Sequence, residues 1–237
     1  MVYHSSLSLS DLFSRKRKDQ TAGADAGADA PAYPTKALAK FLSSLNARPQ
    51  PRLVDLGPVV GTNVNFFGEE LGCKIHVEDV FSDIERHFRE GKLDALQSFF
   101  AKRFAQEDGS VDGILCWDIF DYLDKTAVQA LARELIRMLR PDGMLFALFN
   151  IVEAATKAPP AYTRYVVADR HNLRYRSYVA ARGKQRPLSP RDIQRLFEPL
   201  RITEQFLLKN NLREVLFRKP SAAKTDEGEP ANHRAAD

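Results

Sequence analysis

Short continuous apolar runs alternate along this chain with stretches of helical period. Leu38, Phe41, Leu42 and Leu45 recur at i, i+3, i+4 and i+7 behind Pro34-Thr35, which predicts a helix through about Asn46. Leu53 to Leu56 reads as a buried strand interrupted only by Asp55. Thr62 or Asn63 is placed to cap a helix ending at Leu71-Gly72, and Cys73 to Asp79 is a second strand. Ile84 to about Phe104 reads as helical with a break near Gly91. Val111 to Asp118 is a third apolar run that ends in an acid. Thr126 to Leu139 carries a stripe of Val128, Leu131, Leu135 and Leu139, the Arg140-Pro-Asp-Gly143 stretch reads as a turn, and Met144 to Phe149 as a strand. Fully apolar strands alternating with helices predict an α/β domain whose sheet is mostly parallel and covered on both faces.

The last third changes character. Tyr162 to Val179 alternates apolar and polar residues around Asp169-Arg-His-Asn172, which predicts a hairpin or an irregular insertion. Ser189-Pro190 opens a helix with Ile193, Leu196 and Phe197 on its apolar side. Arg201 to Leu208 and Glu214 to Phe217 then read as two strands around Asn210-Asn211, a pair suited to a tight turn. The stretch Thr21-Ala-Gly-Ala-Asp-Ala-Gly-Ala-Asp-Ala-Pro31 is of low complexity and has too little apolar surface to offset its ordering entropy. We therefore expect an N-terminal arm over 1–32, one folded domain over 33–219 and a C-terminal tail over 220–237.

The 237 residues carry a formal net charge of +4, which permits anionic partners without arguing for nucleic acid. Cys73 and Cys116 sit in or beside predicted strands and are not spaced as a metal pair. Both read as small core residues in a reducing, cytoplasmic setting. No apolar run reaches the roughly 18 residues that span a bilayer, and no histidine, cysteine and acid set has metal-ligand spacing.

Candidate chemistry centres on Leu53-Val-Asp-Leu-Gly57 and Gly61. An apolar strand ends in an acid and a glycine, a tight loop and helix follow, and the second strand ends in Glu78 and Asp79, 21 and 22 residues after Gly57. This is the layout of a nucleotide-binding βαβ unit, with the acid placed to accept from ribose hydroxyls. His76, mid-strand, reads as a core residue. Tyr122 and Asn150 are weaker cleft candidates. Arg164, Arg170, Arg174, Arg176, Arg182, Lys184 and Arg186 read as a solvated, ion-paired face.

These parts, with Asp112-Gly-Ile-Leu-Cys-Trp-Asp118 and Leu139-Arg-Pro-Asp-Gly-Met-Leu-Phe146, resemble the class I S-adenosylmethionine-dependent methyltransferases over about residues 35–219. The resemblance implies a three-layer Rossmann-like fold with a seven-stranded, mostly parallel sheet closed by an antiparallel hairpin strand. It implies S-adenosyl-L-methionine as cofactor and a small or medium-sized acceptor. Asp55, Gly57 and Gly61 would shape the loop under the methionine part, and Glu78 or Asp79 would hold the ribose. Trp117 and Asp118 would line the pocket, with Asp118 as a catalytic proton acceptor. Two departures stand out. The middle glycine of the family's D-x-G-x-G-x-G loop is Val59. The acid that meets adenine, some twelve residues before Asp112, is replaced by Phe100, with Gln106, Glu107 or Asp108 nearby. The alternatives are a catalytically inactive binding or scaffold module of the same fold, and, more weakly, a nicotinamide-dependent oxidoreductase.

Overall fold

The protein is represented by a computed structural model that describes residues 31–153 and 159–221. The expected N-terminal arm and C-terminal tail therefore lie almost entirely outside the described residues. A short strand β1 (Ala32–Pro34) leads into helix α1 (Leu38–Asn46). The helix buries Leu38, Phe41, Leu42 and Leu45, the stripe read from the sequence. It starts later than Thr35 because the Lys36 and Ala37 amides donate to the buried carboxylate of Glu214, at 2.8 and 3.0 Å. That carboxylate stands where the helix N-terminus favours negative charge.

Strand β2 (Arg52–Asp55) is followed by α2 (Gly61–Asn65), which runs on into a wider turn over Phe66–Glu70. Strand β3 (Lys74–Val77) leads to α3 (Val80–Arg89) and, after a tight turn, α4 (Leu96–Phe100). Helix α3 begins earlier than expected because Asp79 caps it, accepting from the Ser82 amide at 3.2 Å. Strand β4 (Val111–Trp117), helix α5 (Lys125–Met138) and strand β5 (Leu139–Asn150) follow. The Arg140–Gly143 turn is a bulge inside β5: Val111 pairs with Leu139, then Gly113 with Met144.

The main sheet has the order β3-β2-β4-β5-β9-β8. Strands β3, β2, β4 and β5 are parallel. In the closing hairpin of β8 (Arg201–Leu207) and β9 (Leu212–Arg218), β9 pairs antiparallel with β5 and β8 pairs antiparallel with β9. Helix α6 (Pro190–Leu196) precedes it, opened by a reciprocal capping box between Ser189 and Asp192. The α/β layout is as expected, but among the described residues the sheet has six strands and not seven. Between α4 and β4 the chain reads Ala-Lys-Arg-Phe-Ala-Gln-Glu-Asp-Gly-Ser over 101–110, with Phe104 its one buried apolar residue. Such a stretch has no apolar face to lay on a sheet, and it forms turns instead.

Two apolar layers flank this sheet. Val54, Leu56, Ile114, Cys116, Leu145 and Phe217 face one layer with α3, α4, α5 and α6. Leu53, Leu115, Trp117, Phe146, Leu148 and Leu216 face the other, with α1. Both cysteines are free and buried. The 162–179 segment is a hairpin, β6 (Ala161–Asp169) and β7 (Asn172–Val179), which with β1 makes a second antiparallel sheet against the second layer. Among the described residues no helix is long and apolar enough to cross a membrane.

Helix α1 approaches the sheet closely only because β4 carries Gly113 there. A Cβ at that position would lie 2.7 Å from Leu45 Cδ2 and 3.0 Å from Phe41 Cζ. Gly113→Ala should cost about 1–3 kcal/mol by overpacking and lower Tm by about 2–4 °C per kcal/mol. An unchanged Tm in thermal denaturation would contradict this packing.

Candidate functional site

From β2 the chain passes to β3 on one side, then crosses back to β4 on the other. The order therefore reverses between β2 and β4, and the crevice beyond the carboxyl ends of those strands is where α/β sheets take ligands. Gly57 lines one wall and Trp117 and Asp118 the other, and Asp55, outside the lining itself, is bonded to Gly57 and Trp117, so four of the residues singled out from sequence come together at this end of the sheet.

The meeting is direct. One oxygen of the buried Asp55 carboxylate accepts from the Gly57 amide at 2.8 Å and from the Trp117 indole N–H at 2.6 Å. Gly57 is required for space rather than for its dihedrals, since a Cβ there would lie 2.8 Å from Trp117 Cδ1. The close approach that its lack of a side chain permits is made by Trp117. Trp117 has φ +48°, a left-handed conformation that costs a bulky residue energy and is held only by its surroundings. Its indole lies flat against Tyr165 of β6, with centroids 5.3 Å apart and planes at 4°. Asn63, expected as a helix cap, instead pins the hairpin. Its amide N–H donates to the Tyr165 carbonyl, and its carbonyl accepts from the Val167 amide, both at 2.8 Å. Phe81 and Tyr162 stack at 4.2 Å along the same cleft.

The loop departs from a glycine-rich path. Val59 is exposed with no left-handed backbone, and Gly61 opens α2 with nothing close to where its Cβ would be. Of the strand-end acids, neither Glu78 nor Asp79 lines the cleft. Asp79 is the cap of α3. Glu78 is buried, and its two carboxylate oxygens accept from Arg103 Nη1 at 2.7 Å and from the Gln106 amide at 2.5 Å. Arg103 reaches it from the turns between α4 and β4.

Asp118 faces the cleft and pairs with Lys184 at 2.7 Å, and the same ammonium lies 3.3 Å from Asp121. Lys184 is thus not part of a solvated basic face. Burial works against its charge, but the two carboxylates outweigh burial and hold its proton more tightly than usual. Burial pushes the Asp121 carboxyl up to about 7, against the pull of Lys184. Neither Asp121 nor Lys184 has a sequence signal that marks it, because their partners come together only through the fold. Asn150, at the end of β5, donates its amide to Asp121 at 2.9 Å. Among the described residues no cluster of histidine, cysteine or acidic side chains is arranged to hold a metal ion.

With these contacts in place the cleft has a volume of about 20 Å³, space for about one water. A nucleoside-sized group does not fit until Trp117, Tyr165 or Tyr162 moves.

Burial pushes the Asp55 carboxyl up to about 6, against the two hydrogen bonds it accepts. Because its folded value exceeds the unfolded one of about 3.9, its protonated form is favoured by folding. That stability is full below about pH 4 and is lost as pH rises through about 6. Asp55→Asn keeps an acceptor for Gly57 and Trp117 without the charge. It should be more stable than the wild type at pH 8 by about 2–3 kcal/mol, with the difference gone at pH 4. Parallel urea titrations at the two pH values test this, and an equal difference at both would contradict it.

The profile of a methyltransferase domain family matches residues 27–199. No curated protein sequence matches the chain. Among solved structures, one similar chain is a 1,6-didemethyltoxoflavin-N1-methyltransferase of Burkholderia thailandensis, crystallised with 1,6-didemethyltoxoflavin and S-adenosylhomocysteine. It is 13% identical over 78% of each chain, with a TM-score of 0.46. The PH0226 protein of Pyrococcus horikoshii OT3 is 16% identical over 77% of this chain and 88% of its own, with a TM-score of 0.48. The [4+2]-cyclase SpnF is 11% identical over 78% and 81%, with a TM-score of 0.47. The matched segment covers most of this sequence and holds both walls of the cleft, and the chain belongs to the methyltransferase domain family, whose fold takes S-adenosylmethionine as its cofactor.

Proposed function

We propose that this chain transfers a methyl group from S-adenosylmethionine to a small or medium-sized acceptor. The observation that carries this reading is the convergence of Asp55, Gly57, Trp117 and Asp118 on the switch point of the sheet, within the segment that matches the family. In the closed arrangement the cleft does not fit the cofactor, so the reading requires the β6–β7 hairpin or Trp117 to shift. Asp118, which lines the cleft, would accept a proton or hydrogen bond from the acceptor. Lys184 positions it from behind. The free, buried cysteines suit a reducing cytoplasm.

The self-filled cleft of about 20 Å³ favours one second reading, the same fold kept as a binding module. Incubation of the full chain with methyl-labelled S-adenosylmethionine and a panel of small nucleophiles separates the two. Methyl transfer is expected, and a folded chain that transfers nothing and gives no heat with S-adenosylhomocysteine favours the module. Asp118→Asn should lower turnover by about 100-fold, the usual reach of a positioned proton acceptor, without changing cofactor affinity. Unchanged turnover removes Asp118 from the reaction.

A further inference from the structure

Glu78 ends β3 at the place where a nucleotide-binding βαβ unit presents a carboxylate to vicinal ribose hydroxyls. A diol would bring two donors to such a group, one for each oxygen. In this chain both donors are already supplied. Arg103 Nη1 donates to Oε2 at 2.7 Å and Gln106 Nε2 to Oε1 at 2.5 Å. Arg103 Nη2 also donates to the Glu78 carbonyl at 2.7 Å, and Arg103 Nε donates to Asp83 at 2.8 Å. Glu78 as a whole is only 4% exposed. A ligand hydroxyl would have to break a charged, multiply hydrogen-bonded contact to reach it, and such bonds are stronger than a neutral hydroxyl can replace.

We propose that Arg103 and Gln106 fill the place at Glu78 that ribose hydroxyls would take, beside the lined cleft rather than in it, and that Arg103 is the residue that sets the affinity for adenosyl ligands. The proposal rests on the methyltransferase reading of the same site. It has a consequence for the wild type: S-adenosylhomocysteine binds weakly and without help from Glu78. Removing the guanidinium uncovers the carboxylate. That removal costs stability, because it takes the cation from two carboxylates, though Asp83 keeps Arg86 at 2.9 Å and Glu78 keeps Gln106.

The experiment is calorimetry of the full chain with S-adenosylhomocysteine. Arg103→Met should bind at least about tenfold more tightly than the wild type, or about 1.4 kcal/mol, and Glu78→Gln in the Arg103→Met background should abolish the gain. Glu78→Gln alone should leave affinity within about threefold of wild type, under 0.7 kcal/mol. Gln106→Leu, which exchanges one neutral side chain for another, frees one carboxylate oxygen and should move affinity in the same direction should Arg103→Met fail to fold. A folded Arg103→Met or Gln106→Leu with no gain overturns the proposal, as does a wild type that loses about tenfold on Glu78→Gln. The two readings fail separately. A gain in Arg103→Met from a chain that transfers no methyl group leaves the subsite proposal standing and removes the activity. Methyl transfer by a wild type that depends on Glu78 does the reverse.

Discussion

One carboxylate oxygen holds the centre of this structure together. Asp55, at the end of β2, accepts from the next turn of its own strand and from an indole at the end of β4, 62 positions away. Glycine at 57 is what lets the indole come so near, and the indole in turn offers its flat face to Tyr165 of the hairpin. Strand ends, loop and insertion are thus fastened at one point. The two hydrogen bonds offset only part of the cost of burying this carboxylate, which is why its proton is held more firmly than usual.

Two charge clusters flank that point, each with one cation held by two carboxylates. Arg103 serves Glu78 and Asp83 beside β3, and Lys184 serves Asp118 and Asp121 beyond β4. Both cations come from segments without regular structure, one between α4 and β4 and one after the hairpin. Buried pairs of this kind contribute little net stability, but removing one partner is costly. Their effect is to hold irregular chain against the sheet rim and to satisfy acids that the fold would otherwise leave to a ligand.

The regular parts of the fold were legible because they follow local period. The stripe of α1 and the alternation of strand and helix from Leu53 to Phe149 show in spacing, the closing hairpin in spacing and its Asn210-Asn211 turn, and 162–179 as a hairpin or an irregular insertion, of which the structure has the hairpin. The convergence of Asp55, Gly57, Trp117 and Asp118 was also legible, since each marks a strand end. The seventh strand was not, because its absence shows only in a stretch that lacks an apolar face. Arg103, Lys184 and Asn63 were hidden for another reason. Their partners lie 20 to 104 positions away, so their roles depend on topology and leave no local pattern. Val59 looked like a defect in a glycine loop, yet its backbone is ordinary because the loop takes a path that asks for no left-handed residue there.

Trp117 is the single tryptophan of the chain. Its indole N–H is bonded to a carboxylate and its ring is stacked on a tyrosine, in the wall that a ligand would have to displace. The protein therefore carries one intrinsic fluorophore, seated in its cleft and sensitive to both contacts. Opening of the cleft should register as a change in emission colour and intensity from a lone emitter, with no label added and no background from other indoles.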